Sequence, residues 1–461
     1  MTTAAAVAVP SVRRPTLAWG LSLFVWLLPL QSFAITVLFG ALGWPAPVVR
    51  AIAAWKEVLI AVLFGLAVAR TVRSPSPRAG AGIYWPDLVV AGLGMLAVGY
   101  AIGGNAWFGG DLPLAAQLYA LRDAGFVSLL YFVGRASPEI AQSARLLRAL
   151  FIVGVVTSAI AVLERIFVTP EVLVLLGAAR YVQDFLGAAA ITQGNPYGLP
   201  DNYWTLVGSH AVQRAGSTYM SGQAFAVPFL IVLPAATLWA LSASGRRAVI
   251  VWVAYALAWV GLLLTVTRMT IVVCALGTVL LMAARRRWGS LTGVGFAAVV
   301  GLGAALLFVP GLATFVWETL TWQSPSSAGH VADWTAGLDQ VLRSPLGVGL
   351  GATDFVAARF GVRGVTGDNQ YLKYAVELGV VGLILHVGVL AAALASGVRA
   401  WRAAPATSAG TAGLLLVTAT AGIALNAVTA VVFNSPMLAY PFFWLAGSVT
   451  TVAHQREAAG R

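Results

Sequence analysis

The chain has 461 residues, of which 59% are hydrophobic and 10% are charged, and its formal net charge is +12. Soluble proteins carry about 25% charged residues, so this composition excludes a soluble globular domain and indicates an integral protein of the lipid bilayer. The positive charge does not indicate a nucleic-acid partner, because the arginines occur in small clusters between apolar runs, as in cytoplasmic loops that face anionic lipid.

Apolar runs long enough to cross a bilayer core of about 30 Å recur along the chain. Arg13 and Arg14 precede the first run, and "SFA" at 32–34 is similar to a signal-peptide cleavage site. Because the hydrophobicity continues through 35–43, we expect an uncleaved first span rather than a signal peptide. The predicted spans are 17–41, 48–69, 87–104, 114–134, 146–168, 219–243, 248–267, 269–284, 289–309, 368–398, 410–431 and 437–453.

The arginines predict the orientation of these twelve spans. If the N-terminus is cytoplasmic, most arginines fall in cytoplasmic segments, at 13–14, 70–78, 135–148, 246–247, 285–287, 399–402 and 456–461. The positive-inside rule therefore predicts that both termini are cytoplasmic. Two long segments, about 169–218 and 310–367, then form exterior loops. Neither has the character of a separate soluble domain, so we expect one integral membrane domain over 1–461.

The second exterior loop contains an amphipathic stretch at 330–344. Its apolar residues Val331, Trp334, Leu338 and Val341 recur at helical spacing, which predicts a helix with one apolar face. Such a helix fits two roles, one lying on the outer membrane surface and the other forming a lid over a substrate cleft.

Charged residues inside the spans occur as neighbouring opposite charges in the outer half of the membrane: Lys56 with Glu57, Arg122 with Asp123, Glu164 with Arg165, and Lys373 with Glu377. Ionisable groups at membrane depth usually face the bundle interior or a wet cavity. The alternative is that neighbouring charges neutralise each other, as an i,i+4 pair would in the last case, or snorkel outward. The shared depth of four pairs favours a polar cavity that opens to the outer face.

Three exterior positions form a candidate site. Arg214 precedes the sixth span, Arg268 lies at a short outer turn, and Asp368 begins the tenth span. Two guanidinium groups are suited to a diphosphate because each presents a planar fork of donors, and a carboxylate beside them is suited to take a proton from a sugar hydroxyl. Taken singly, each arginine also fits a snorkelling boundary residue, and Asp368 also fits a helix N-cap.

Other motifs exclude alternatives. The single cysteine, Cys274, lies in an apolar run, and no Cys/His grouping predicts a metal site. The G-x-G-x-G run within 345–355 lacks the strand–helix setting and glycine spacing of a dinucleotide site. We expect it to form a tight turn near the head-group region.

Several segments from about 205 to 450 resemble the O-antigen ligase and polymerase-like superfamily of bacterial membrane glycosyltransferases. The similar segments occur in the family's order and on the predicted exterior side. They are "RAGST" at 214–218, "TVTR" at 265–268, "SPLGVGLG" at 344–351, "DNQYLKYAVELGVVGL" at 368–383 and the C-terminal "YPFFWLAGSV" at 440–449.

The resemblance implies an all-α polytopic membrane protein with about twelve transmembrane helices, similar to the C-type glycosyltransferases. It also implies a polyprenyl diphosphate-linked glycan donor, a glycan acceptor and metal-independent transfer with no cofactor. Arg214 and Arg268 match the positions that bind diphosphate. We add as candidate substrate-binding residues those with polar side chains near the predicted cavity: Lys56, Arg122, Asn369, Tyr371 and Lys373.

Position 368 separates two related activities. Ligases of the family carry histidine there as the proposed base, whereas this chain has Asp368. This difference favours a polymerase of capsule, exopolysaccharide or O-antigen repeat units, with inverting transfer at the outer face of the bacterial plasma membrane. A ligase that moves a finished glycan to a lipid or cell-wall acceptor is the alternative.

Two further classes fit less well. A flippase or other transporter of lipid-linked oligosaccharide would favour polar residues along the full membrane depth, whereas the charges here lie in the outer half. Metal-dependent C-type transferases generally use acidic residues in the first exterior loop. That loop here, "GWPAPVVR" at 43–50, has none.

Overall fold

The computed structural model describes residues 17–73, 82–108, 112–207, 210–362 and 368–459, so Arg13 and Arg14 lie outside the described residues. The described chain is mainly helical, with one antiparallel hairpin of β1 (Trp204–Val207) and β2 (His210–Gln213). The α-helices are α1 (Ala18–Ile35), α2 (Ala46–Ala53), α3 (Trp55–Val72), α4 (Trp85–Phe108), α5 (Leu114–Arg135), α6 (Arg145–Phe167), α7 (Pro170–Leu175), α8 (Ala178–Arg180), α9 (Gly222–Ala226), α10 (Phe229–Ser242), α11 (Arg246–Leu264), α12 (Arg268–Ala284), α13 (Trp288–Phe308), α14 (Leu312–Leu320), α15 (Pro325–Arg343), α16 (Asp354–Arg359), α17 (Gln370–Ala403), α18 (Ser408–Asn426) and α19 (Pro436–Ala459).

The helices confirm an all-α polytopic membrane protein. Within the described ranges, 9 helices are long and apolar enough to cross a membrane by length and composition. Three more helices, α5, α12 and α19, lie at the remaining predicted spans, so a helix lies at every predicted position. Some predicted ends were wrong, since α18 ends at Asn426 instead of residue 431 and α19 extends to Ala459.

The centre of the bundle is α10, which packs against α6, α11, α12 and α18. In the segment Gly222–Ser242, 83% of the residues of the most apolar stretch are buried inside the protein. By contrast, α13 has no buried residue and packs against α12 and α14. Both helices are apolar on all sides, so neither sequence has an amphipathic pattern. Their packing partners alone distinguish the central helix from the peripheral one.

A buried ion pair joins α4, α5 and α19 at the C-terminal end of α5. The carboxylate of Asp87 is 2.8 Å from Arg135 Nε and also accepts the hydroxyl of Tyr131 at 2.8 Å. Arg135 donates further to Thr451 Oγ1 at 2.7 Å. Because these buried charges are paired and hydrogen-bonded, they satisfy the condition for tolerating charge in a membrane bundle.

Helix α17 is broken at Gly379, whose φ of 71° is left-handed. The rings of Tyr374 and His386 stack with their centroids 4.4 Å apart, although in a straight helix these residues would be about 18 Å apart along the axis. Residues 370–378, here called the half-helix, therefore fold back on the rest of α17. The tenth span predicted over 368–398 is therefore present, but its first turns form a separate segment of the helix.

The glycine-rich loop 345–353 supplies the hydrogen bonds that the break removes. Backbone hydrogen bonds join the loop to both sides of Gly379: Val348 N to Val376 O (2.8 Å), Gly349 N to Glu377 O (3.1 Å) and Val380 N to Pro345 O (2.9 Å). The loop thus satisfies backbone groups that a membrane interior would leave unpaired. The sequence predicted a tight turn here, and the positive φ values of the glycines in the loop are consistent with a turn. The docking of the loop into the helix break was not predicted.

The two predicted exterior segments contain short helices and the β hairpin. The amphipathic stretch predicted at 330–344 lies within α15, which begins earlier, at Pro325, with Ser324 as its side-chain N-cap. Helix α15 packs against α17, while Val331 and Leu338 remain 49% and 55% exposed. The helix therefore has one face against the half-helix and an apolar face that the other described residues leave exposed.

Candidate functional site

The structure brings Arg214 and Arg268 together at the turn between α11 and α12. Arg214 donates through Nε to the carbonyl of Thr265 at 2.8 Å and through Nη2 to the hydroxyl of Thr267 at 2.8 Å, and Thr267 directly precedes Arg268. Burial and the nearby charge of Arg268 lower the pKa of Arg214 to about 10. The guanidinium is still cationic at neutral pH, so two positive charges are held side by side.

Arg268 connects this turn to the second of the two predicted exterior segments. Its Nη1 atom donates to Thr319 Oγ1 and Ser324 Oγ, both at 3.0 Å, and its guanidinium lies 5.3 Å from the ring centroid of Phe315. Within the described part of the chain, neither Arg268 nor Arg214 forms an ion pair with a carboxylate. Two partly buried cations whose hydrogen bonds go only to neutral oxygens favour an anionic ligand.

A cavity of about 390 Å³ lies beside the arginine pair and is here called the site cavity. Its wall includes Asn202, whose carbonyl accepts Arg214 Nη1 at 3.2 Å. The other polar lining includes Ser221, Gln223, Asp368 and Asn434, and the apolar lining includes Leu28, Val227 and Met437. A cavity of a few hundred Å³ with an apolar wall and a few polar groups is typical of a small-molecule site.

Asp368 lines the site cavity and is not the N-cap of α17. The N-cap is Asn369, whose side-chain oxygen accepts the N–H groups of Tyr371 and Leu372 at 2.9 and 3.0 Å. Tyr371 donates its hydroxyl to the carbonyl of Ala424 at 2.7 Å. These atoms of Asn369 and Tyr371, both candidate substrate-binding residues, therefore hold the half-helix that presents Asp368.

The predicted charges of Lys56 and Arg122 meet in one cluster. Lys56 Nζ is 3.2 Å from Glu57 Oε1, Arg122 Nη2 is 2.9 Å from Asp123 Oδ1, and Arg122 Nη1 is 3.8 Å from Glu57 Oε1. Two of the four predicted charge pairs thus form one network between α3 and α5. Neither Lys56 nor Arg122 is among the described residues that line the site cavity.

Sequence reasoning missed Arg359 on α16. Its guanidinium lies 5.1 Å from the ring centroid of Tyr119, while that of Arg122 lies 3.9 Å from the same centroid. Arg359 also donates to the carbonyl of Phe185 at 3.2 Å, next to the lining residue Leu186. The two arginines that flank Tyr119 are far apart in sequence, so no local motif indicated their proximity.

The other two charge pairs have different environments. Lys373 Nζ is 3.6 Å from Glu377 Oε1, as an i,i+4 pair, and the same carboxylate oxygen accepts the hydroxyl of Thr353 at 2.6 Å. Glu164 is buried, whereas its neighbour Arg165 is exposed. Among the described residues, no three His, Cys, Asp or Glu side chains gather in the way a metal site requires.

A comparison with known proteins matches part of the second half of the chain. A family model described as O-antigen ligase matches residues 253–387, which include Arg268, loop 345–353 and Asp368, while Arg214 precedes the matched segment. No curated protein matches the chain. Residues 253–387 are therefore similar to the O-antigen ligase and polymerase-like superfamily of membrane proteins.

Proposed function

We propose that this protein is a membrane glycosyltransferase that polymerises polyprenyl diphosphate-linked glycan repeat units. The observation that carries the proposal is the adjacent pair Arg214 and Arg268, which have no carboxylate partner in the described chain and adjoin a cavity lined by Asp368. We propose that the site faces the outside of a bacterial plasma membrane and that both termini are cytoplasmic.

The proposed reaction is a direct displacement at the anomeric carbon of the donor glycan. The acceptor hydroxyl oxygen forms the new glycosidic bond, the bond from the anomeric carbon to the diphosphate oxygen breaks, and the configuration inverts. Asp368 takes the proton of the hydroxyl. Arg214 and Arg268 stabilise the charge on the departing diphosphate, so the residues of the chain handle both the proton and the leaving group.

The cavity lining supports a lipid-linked substrate. Leu28, Val227 and Met437 provide an apolar wall, while Gln223 and Asn434 provide hydrogen-bonding groups. An amphipathic donor needs both kinds of surface, one for its isoprenoid chain and one for its sugar. Lys56, Arg122 and Lys373 remain candidate contacts for more distant parts of the glycan.

The decisive experiment uses purified protein in lipid nanodiscs with a lipid-linked repeat unit, without nucleotide or ion gradient. A polymerase is expected to produce a ladder of longer lipid-linked glycans, measured by gel electrophoresis and mass spectrometry. Transfer of a finished glycan to a second lipid acceptor, without a ladder, would identify the ligase alternative. Movement of the repeat unit across a vesicle membrane without any new glycosidic bond would identify a transporter.

Deletion in cells tests polymerase against ligase independently. A cell that lacks the polymerase is expected to accumulate single repeat units on the lipid carrier, because no later step can use them. A cell that lacks a ligase accumulates long polymer instead. Aspartate at 368, where ligases of the family carry histidine, is the feature that favours the first outcome.

The proposed base gives a specific prediction. Asp368→Asn is expected to lower the rate of transfer by at least about a hundredfold, because an amide cannot accept the proton, while donor binding is retained. Asp368→His is expected to recover part of the rate. The matched control is Asp339→Asn on α15, where the carboxylate pairs with Arg343 and is 55% exposed. A wild-type rate for Asp368→Asn would contradict the assignment.

A further inference from the structure

Residues 214–221, here called the Arg214 loop, depend on distant parts of the chain for their backbone hydrogen bonds. Four successive N–H groups find their acceptors outside the loop: Arg214 N to Tyr203 O (2.7 Å), Ala215 N to Leu264 O (3.0 Å), Gly216 N to Glu164 Oε1 (3.1 Å) and Ser217 N to Glu164 Oε2 (2.5 Å). Since buried N–H groups must be paired, these acceptors determine the path of the loop.

The same loop has a strained backbone. Ser217 and Met220 have φ values of 49° and 58°, in the left-handed region that residues other than glycine rarely adopt. Such conformations persist only where surrounding contacts enforce them. Ser217 is held twice, because its hydroxyl also donates to the carbonyl of Thr157 at 2.7 Å. The loop therefore does not keep this shape by local preference.

Glu164 supplies two of the enforcing contacts from a single side chain. It lies near the C-terminal end of α6 and is 8% exposed. Each carboxyl oxygen accepts one of two successive backbone amides, so both oxygens of the side chain act as acceptors. A polar side chain at this depth must be hydrogen-bonded, and the bonds of Glu164 are directed to the backbone two and three residues after Arg214.

We propose that Glu164 is a positioning residue that holds the Arg214 loop in the conformation that binds the diphosphate of the donor. Glu164 acts through the backbone of Gly216 and Ser217 and does not itself meet the substrate. This inference rests on the proposed function, because it assumes that Arg214 binds diphosphate. It adds a residue of α6 that lies outside the segment matched by the family model.

The test compares Glu164→Gln with the control variant Arg165→Gln. The control also removes one charge, but from the exposed side chain of the next residue. Glutamine has the shape of glutamate, but its amide group donates where Ser217 or Gly216 also donates, so one hydrogen bond is lost. Hydrogen exchange of the 214–221 segment, followed by mass spectrometry in nanodiscs, is expected to be faster in Glu164→Gln only. Farnesyl diphosphate affinity is expected to fall about tenfold, and farnesyl monophosphate affinity by less.

The outcomes separate this inference from the proposed function. The positioning role is overturned if the segment exchanges at the wild-type rate in Glu164→Gln. It is also overturned if the variant lowers the unfolding temperature but leaves both affinities unchanged. In either case, a loss of affinity in Arg214→Ala would still support the diphosphate site. If Arg214→Ala and Glu164→Gln both bind farnesyl diphosphate normally, the proposed site fails, and this inference fails with it.

Discussion

Replacing either Arg214 or Arg268 with alanine is expected to lower the rate of glycosyl transfer by about a hundredfold to a thousandfold. Both guanidinium groups are held by neutral oxygens of threonine or serine residues and have no carboxylate partner in the described chain. Their charge is thus available to the leaving diphosphate. The measurement is the initial rate of product formation from a lipid-linked repeat unit, and the double variant is expected to fall below detection.

Two further variants make this prediction specific. Arg214→Lys keeps the positive charge but cannot reproduce the donors that reach Thr265, Thr267 and Asn202 together, so it is expected to remain strongly impaired. Arg343→Ala is the matched control, because Arg343 is 72% exposed and pairs with Asp339 on α15. Normal transfer by the Arg214 and Arg268 alanine variants, at normal protein levels, would refute the diphosphate site.

Gly379→Ala is expected to lower the free energy of unfolding by at least about 3 kcal/mol, from backbone strain and overpacking together. The left-handed φ of 71° is unfavourable for alanine. In addition, a Cβ atom there would lie 2.5 Å from the carbonyl carbon of Leu346 and 2.6 Å from the carbonyl oxygen of Pro345. These are backbone atoms of the loop docked into the break, so they cannot move aside without loss of its hydrogen bonds.

A second glycine with a positive φ lacks the close contacts of Gly379. Gly361 has a similar φ of 70°, but a Cβ atom added there would meet no atom of the described residues within 4 Å. Gly361→Ala is therefore expected to show only the conformational cost, about 1 kcal/mol. The measurement is the midpoint of thermal unfolding in detergent. Equal midpoints for the two variants would show that the close approach of loop 345–353 to Gly379 has no energetic importance.

Much of the fold was predictable because a bilayer imposes simple conditions on a chain. Apolar runs must form helices that satisfy their own backbone groups, and a helix lies at every predicted span. The break at Gly379 was not predictable in the same way. The residues after it stay apolar to about 398, and glycine is common throughout this chain, with 49 residues, so one more inside a span gave no distinct signal. The glycines of loop 345–353 were the available clue.

The candidate site was predictable where the chemistry lies in side chains. Arg214, Arg268 and Asp368 drew attention as charges at the membrane boundary, and the structure brings the arginines to one turn and Asp368 to the adjacent cavity. The two contacts of Glu164 were not predictable, because their partners are backbone N–H groups, which every residue but proline carries. Arg359 was missed because tertiary folding alone brings it to Tyr119.

The docking of loop 345–353 into the break of α17 also restricts how the segment between α13 and α17 can vary in length. Three backbone hydrogen bonds join the loop to residues 376–380, so one residue inserted within 345–353 would shift several of these bonds out of register at once. The half-helix, about 13 Å long at 1.5 Å per residue, begins two residues after Asp368. Insertions between α13 and α14 leave this register intact, so we expect length variation to be tolerated there and excluded from the loop.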